Sequence, residues 1–444
     1  MNEELLERCR SRRERVLALL PDAAAMILPA APELRIGRDL ELRYQPDPEL
    51  YYLTGCTEPE AVALLLPGND EHRVTLFVRA RNADAELWTG ARDGPDAARE
   101  RFGADIAYPT AELAERLPQL LAGVDTLYYR LRAGRPRLDD IILGLLAAQR
   151  RARQRRGVGA RALVDPGAIL DELRLIKDEY EIRSLRQAAH ITVEGFREAA
   201  TLIRAGVGEW EIEAALEAAF RRRAADGPAF PSIVASGSNA TVLHYVQNSR
   251  AARAGELILI DAGARLRMYA GDLSRTLPVS GRFTAAQREM YDIVLAAHDA
   301  GIAAVAPGAT EADIHQATIA ELVRGMVRIG LLQGEPQALL EDDEQPWKPY
   351  FPHRASHWLG LDVHDVGDYT AGDDPRRLEP GMVLTIEPGL YIPPPAELPD
   401  HIQRLRGTGI RIEDAVLVTP DGRDVLSADL PVAADDIAAL VGRR

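Results

Sequence analysis

The sequence predicts two successive folds: an α/β domain over residues 1–177 and a larger α+β domain over 178–444 whose element order repeats internally. Three observations carry this expectation. In the first part, short apolar runs alternate with helical patterns, as a partly parallel sheet requires. In the second part, helices precede strands and the order then recurs, which points to a pseudo-twofold internal duplication. Charge divides at the same place: residues 1–177 hold 27 basic and 28 acidic side chains, whereas 178–444 hold 26 and 40.

Within the first domain, Ala25–Leu28, Ala61–Leu66 and Val74–Val78 read as buried strands, punctuated by Pro67, Gly68 and Asn69. Ala111–Leu121 and Leu138–Arg150 carry apolar residues at helical spacing. The basic run Arg150–Gly157 reads as the exposed end of a helix, where the dipole favours cations, rather than an RNA- or phosphate-binding strip, since no aromatic platform interleaves it. The second domain opens with two helices, Asp178–Arg204 and Glu209–Ala225, closed by Gly206 and Gly227. Strands follow at Leu257–Ile260 and near Thr276–Val279, helices start at the caps Thr284 and Thr310, and further strands are expected at Val383–Ile386 and Ala415–Val418.

Composition excludes several classes of function. The 444 residues carry a formal charge of −15, which disfavours a nucleic-acid partner. Two cysteines, Cys9 and Cys56, cannot build a disulfide framework and fit a reducing compartment. The N-terminus lacks the basic start and unbroken apolar run of a secretory signal. No stretch approaches the ~20 apolar residues that span a bilayer. A cytoplasmic enzyme without membrane partners is the expectation.

The acids of the second domain are the informative ones. Leu257–Ile260 runs into Asp261-Ala262-Gly263, and Val383–Ile386 runs into Glu387-Pro388-Gly389. A second acid follows each: Asp272 after eleven residues, in the span of a hairpin that sets both carboxylates on one face, and Glu413 after twenty-six. Either acid alone would be unremarked at a strand end, where Asp is common; the repeated strand–acid–x–Gly pattern is not explained that way. Four clustered carboxylates repel one another unless divalent cations neutralise them, and an oxygen-rich set suits Mn²⁺ or Mg²⁺ better than structural Zn²⁺. Of nine histidines, His353, His357 and His364 fall within twelve residues, and His244 stands in Ser236–Tyr245. One imidazole would complete a metal site, while others could stabilise a developing oxyanion. His72, His190, His298, His315 and His401 read as surface or helix-face residues.

These strings resemble the pita-bread metallopeptidases, the family of methionine aminopeptidase, prolidase and aminopeptidase P, over about residues 178–420. The resemblance implies five metal ligands, Asp261, Asp272, His357, Glu387 and Glu413, holding two divalent ions, Mn²⁺ by preference with Co²⁺ or Zn²⁺ acceptable. The segment Tyr51–Ala61 and the balanced first domain are similar to the creatinase N-terminal-like domain of the aminopeptidase P branch, and Ser356–Gly367 looks most like the bacterial members. One departure stands out: the residue after His353, often glycine in relatives, is Arg354 and puts the shape of this loop in question.

The resemblance further implies cleavage of the bond between an N-terminal residue and a proline in second position, by a hydroxide bridging the two ions. Glu387 would act as general base, with His244 and His364 on the substrate carbonyl or tetrahedral intermediate and Arg411 orienting the ligands. His353 and Tyr391 would belong to the substrate site, Tyr391 either polarising the scissile carbonyl or lining the cleft. In a homo-oligomer, dimer or tetramer, Trp88 and Arg153 of a neighbouring first domain would close the cleft over peptide substrates. The alternatives are an Xaa-Pro dipeptidase and, more remotely, a non-catalytic peptide-binding module of the same fold; the retention of all five ligands argues against the latter.

Overall fold

Contacts divide the chain into two units, Met1–Leu173 and Arg174–Arg444, in a computed structural model that describes residues 3–38, 40–131, 136–156 and 159–442. The division falls just ahead of residue 178 because Arg174 and Lys177 are anchored in the second unit, on Asp365.

In the first unit, six strands form one mixed sheet: β1 (Ala24–Pro29), β2 (Val62–Leu65), β3 (Val74–Val78), β4 (Ile106–Pro109), β5 (Thr126–Tyr128) and β6 (Ala162–Val164), in the order β4-β3-β2-β1-β5-β6. Strand β2 pairs antiparallel with β1 and β3, whereas β1–β5, β3–β4 and β5–β6 are parallel. The apolar runs are continuous because β1, β2 and β3 are buried along their length, as strands covered on both faces must be. Ile27, Leu64, Phe77, Leu117, Leu127 and Ile142 share one core. The helix Pro136–Arg156 runs through the basic segment, so most of that run is the end of a helix; Gly157 lies outside the described residues.

The second unit opens with α1 (Glu179–Ala200), capped by Asp178 in a capping box with Glu181, and α2 (Glu209–Arg222). Helix α1 ends earlier than the periodicity suggested, because the chain after Ala200 tightens into i→i+3 turns and reverses at Gly206, φ +85°. Strands β7 (Ile233–Ser236), β8 (Leu257–Ala262) and β9 (Leu273–Pro278) form an antiparallel sheet in that order. The plan then repeats. Helices α3 (Ala285–Ala304) and α4 (Glu311–Arg328) start at Thr284 and Thr310, each with the capping box the sequence predicted. Strands β10 (Val383–Ile386), β11 (Gly389–Ile392), β12 (Thr408–Arg411), β13 (Asp414–Thr419) and β14 (Gly422–Val425) follow, with β13 between β10 and β14 and with β11 paired to β12.

A bridge between Ser274 and Glu413 joins the two halves edge to edge. Phe196, Phe220, Ile258, Ile260, Met290, Val294 and Leu322 are packed in the core beneath. Burying each such side chain is worth roughly 1.5–3 kcal/mol, so the helical layer holds the strand ends in fixed positions. Among the described residues no helix is long and apolar enough to cross a membrane.

Candidate metal centre

Each of the four acids sits at or beside the end of a strand of the second unit. Asp261 pairs with Ser274 in the β8–β9 ladder, and Asp272 directly precedes β9. The two are therefore diagonal neighbours on one face rather than directly opposite. A short ladder of Ala264–Leu266 with Tyr269–Ala270 occupies the connection between them. Glu387 follows β10 and Glu413 precedes β13, which pair with Ile386 opposite Asp414. The glycines of the repeated pattern have steric reasons. A Cβ on Gly263 would lie 1.6 Å from the Gly271 carbonyl oxygen, and one on Gly389 would lie 2.3 Å from the Tyr391 hydroxyl. Asp261 thus precedes a point where the Gly271 backbone must approach bare backbone, and Glu387 precedes one where the Tyr391 ring of the same strand lies against it.

The four carboxylates and His357 converge on a cavity of about 900 Å³, which is also lined by His244, His353, His364 and Arg411. Asp272, His357 and Glu413 each offer a donor atom within 4.8 Å of the others. His357 Nε2 lies 3.4 Å from Asp272 and 3.6 Å from Glu387. Its Nδ1–H is committed to the Trp358 carbonyl at 2.9 Å, so Nε2 is the nitrogen that faces the acids and would serve as the ligand atom once a cation takes the place of its proton.

Electrostatics show how unfavourable this cluster is by itself. Burial pushes Asp272 up to about 6, helped by Asp261 and opposed by His357. Burial likewise pushes Glu387 up to about 7 and Glu413 well above the carboxylate range, with the neighbouring carboxylates adding to both. Burial would lower His357, yet Asp272 and Glu387 raise it to about 9. Asp261 Oδ2 accepts from Arg411 Nη2 at 2.6 Å, while its Oδ1 is buried with no hydrogen-bond partner. An orphaned buried carboxylate oxygen among three other acids is the arrangement that divalent cations resolve, and the oxygen-rich donor set with one imidazole fits them.

A directed chain of hydrogen bonds backs the site. Arg411 donates to Ser274 Oγ (2.9 Å) and to the Tyr391 hydroxyl (2.9 Å), and Ser274 Oγ donates to Glu413 Oε2 (2.8 Å). His353 Nδ1 faces the Arg354 carbonyl at 2.8 Å and so carries the proton; its Nε2, 3.0 Å from Tyr391, accepts from the phenol. Burial and the Arg411 charge keep His353 neutral, down to about 3. The Tyr391 proton is therefore occupied by His353, and Tyr391 is 3 % exposed, which makes it a strut between Arg411 and His353 rather than a donor to a substrate carbonyl.

His244 and His364 are exposed to the cavity, with the His364 ring edge-on to His357 at 4.4 Å. Arg354 pairs with the buried Glu311 at the cavity wall, so the loop is tied to the start of α4. Trp88 is 85 % exposed on the helix Ala83–Thr89 of the first unit, and Arg153, half-buried, belongs to the helix Pro136–Arg156. Neither is among the residues that line the cavity. Sequence reading missed Ser274, whose only signal was its place two residues past Asp272, and the charged cluster of Arg174, Lys177 and Asp365 beside His364. His298, read as a surface or helix-face residue, lies on α3 with its ring facing inward, 2.9 Å from Asp414 and 4 % exposed.

Known families match both units. The model of metallopeptidase family M24 matches residues 183–420, which contain all five candidate ligands, and that of the aminopeptidase P N-terminal domain matches residues 9–128. The chain belongs to metallopeptidase family M24. It is 40% identical to the Xaa-Pro aminopeptidase of Escherichia coli K12 over 434 residues, 97% of this chain and 96% of the relative. Aminopeptidase PepP of Pseudomonas aeruginosa superposes with a TM-score of 0.92 at 40% identity, covering 98% of this chain and 97% of that one. A glutamate-to-alanine variant of Escherichia coli aminopeptidase P, solved in complex with substrate, superposes with a TM-score of 0.92 at 38% identity, covering 98% of each chain. The M24 member described here thus has the pita-bread fold, preceded in sequence by an aminopeptidase P-type N-terminal domain.

Proposed function

We propose that this M24 member is an Xaa-Pro aminopeptidase that uses two divalent ions, preferably Mn²⁺, to release the residue preceding a proline. The observation that carries the reading is the convergence of Asp261, Asp272, Glu387, Glu413 and His357 on one cavity, with a buried, unpartnered oxygen on Asp261. The whole-length likeness to Xaa-Pro aminopeptidases supports the substrate class.

Asp261, Asp272, His357, Glu387 and Glu413 would together hold the two ions. Bound divalent ions supply an activated water at neutral pH and polarise the peptide carbonyl. Glu387 would receive the proton of the attacking water and pass it towards the leaving proline nitrogen. His244 and His364, both facing the cavity, would donate to the carbonyl oxygen as it gains charge. Arg411 keeps Asp261 aligned through Nη2 and Glu413 through Ser274. His353, held neutral, would form part of the wall beside the substrate. In a homo-oligomer the exposed Trp88, with Arg153, would reach a neighbour's cleft and restrict it to short or unfolded N-termini. Two buried free cysteines suit the cytoplasm.

The test is one set of assays on EDTA-stripped protein with and without Mn²⁺, using an Xaa-Pro-Xaa tripeptide, an Xaa-Pro dipeptide and a Met-Ala-Xaa tripeptide. Release of the first residue from the Xaa-Pro-Xaa tripeptide alone is the expected result. Preference for the dipeptide would make the protein a dipeptidase, and no metal-dependent cleavage of any would overturn the reading.

A further inference from the structure

His244 sits in an irregular stretch. After β7 ends at Ser236, the chain makes one 3-10 turn, Gly237–Thr241, and then runs without regular structure to β8 at Leu257. A connection of that length inside a packed unit needs something to fix its course. His244 and its neighbours Leu243 and Val246 line the cavity, and Val246 is 44 % exposed, so packing alone does not hold this part of the loop.

Glu209, the first residue of α2, is fully buried, and its carboxylate accepts five hydrogen bonds. Oε1 receives Ser236 N (2.7 Å), Ser236 Oγ (2.7 Å) and Asn239 Nδ2 (3.0 Å). Oε2 receives the hydroxyl of Tyr245 (2.9 Å) and Arg250 N (2.8 Å). Every donor belongs to the connection that carries His244, at its start, its turn, the residue next to His244 and its far side. The amino end of α2 favours the negative charge, and the donors replace the water it has lost. None of these contacts reaches the metal ligands.

We infer that Glu209 is the positioning residue for His244: one buried carboxylate gathers the loop from Ser236 to Arg250 and so sets where the imidazole stands in the cavity. This rests on the reading of His244 as a donor to the substrate carbonyl. Glutamine at 209 would present an NH₂ towards donors on one side, and the backbone N–H of Ser236 or Arg250 cannot turn away. A displacement of about 1 Å at a group that must meet the reacting carbonyl can cost ~10²-fold in rate.

The experiment is a double-mutant cycle on the full-length, Mn²⁺-loaded protein with an Xaa-Pro-Xaa tripeptide. His244→Ala is measured first; an unchanged kcat/KM would refute the role of His244 and leave the likeness to the family untouched. Given a loss there, E209Q should lower kcat by about ten- to a hundredfold with Mn²⁺ affinity unchanged by calorimetry, and should cost nothing further in the His244→Ala background. Tyr245→Phe keeps the ring and removes one donor to Glu209, together with the acceptor of the Ser249 N–H at 3.3 Å; it should shift kcat in the same direction by a few-fold. If E209Q and Tyr245→Phe retain wild-type kcat, or if the losses with His244→Ala simply multiply, Glu209 does not act through His244 and the inference is wrong.

Discussion

Replacing Asp365 by asparagine gives the sharpest measure of how the second unit is held together. Its carboxylate accepts from Arg174 Nη2 at 2.6 Å and from Lys177 Nζ at 2.9 Å, and all three side chains are nearly inaccessible, at 1 %, 2 % and 1 %. Asparagine preserves the shape and removes the charge, leaving two buried cations facing an amide. Breaking a buried pair from one side costs about 3–5 kcal/mol. Arg174 keeps Asp362 at 2.8 Å, a carboxylate 43 % exposed, so the low end of the range applies, about 3 kcal/mol. For a unit of this size each kcal/mol moves Tm by roughly 2–4 °C, giving about 6–12 °C in scanning calorimetry at pH 7.

The pH dependence carries a sign of its own. Burial would raise Asp365, yet Lys177 and Arg174 hold it below the ordinary carboxylate range. A group depressed on folding stabilises fully above its unfolded value, near ~3.9, and that contribution is lost as pH falls through the folded value. The Tm gap between wild type and variant should therefore be constant from pH 7 to pH 5 and narrow below about pH 4. A gap under 2 °C at pH 7, or one that widens in acid, refutes the reasoning. Because Asp365 follows His364, the variant should also lose kcat.

Asp261→Asn removes a proposed ligand together with the partner of Arg411, and Mn²⁺ affinity and activity should fall together by at least about tenfold; full activity would show that Asp261 holds no ion. Stripping the metal should lower Tm, because the clustered acids then face one another, and Mn²⁺ at a hundred times its Kd should restore about 2.7 kcal/mol; a Tm indifferent to Mn²⁺ would contradict the site. Arg275→Met should destabilise the second unit by about 3 kcal/mol, since the buried guanidinium binds Asp414 at 2.8 Å and the Glu413 carbonyl at 2.6 Å; chemical denaturation at fixed Mn²⁺ reads it, and an unchanged midpoint refutes it.

Much of the site was legible because its signals are local. An apolar strand ending in an acid, with glycine two residues on, is visible in Ile260–Gly263 and again in Ile386–Gly389, and the capping boxes at Thr284 and Thr310 mark their helices within four residues. The strands β11 and β12 escaped notice because Gly389–Ile392 and Thr408–Arg411 are too short to show alternation against the flanking prolines and glycines. Tyr391 shows the limit most plainly: the resemblance offered it as a group that polarises the carbonyl or lines the cleft, but whether its proton is free depends on His353, thirty-eight positions away.

The sequence alone determined which residue types would stand at the strand ends, that carboxylates outnumber imidazoles there, and therefore that divalent cations are the natural counter-charge. Tertiary structure decided which atoms remain available. Arg411 reaches Asp261 across 150 positions, Arg174 reaches Asp365 across 191, and Glu209 gathers donors 27 to 41 positions on. The physical reason is one of range. Strand alternation and helix capping act between residues a few positions apart and leave a periodic trace, whereas a buried charge is satisfied by whatever donors the folded chain brings within 3 Å, and nothing in local spacing records that.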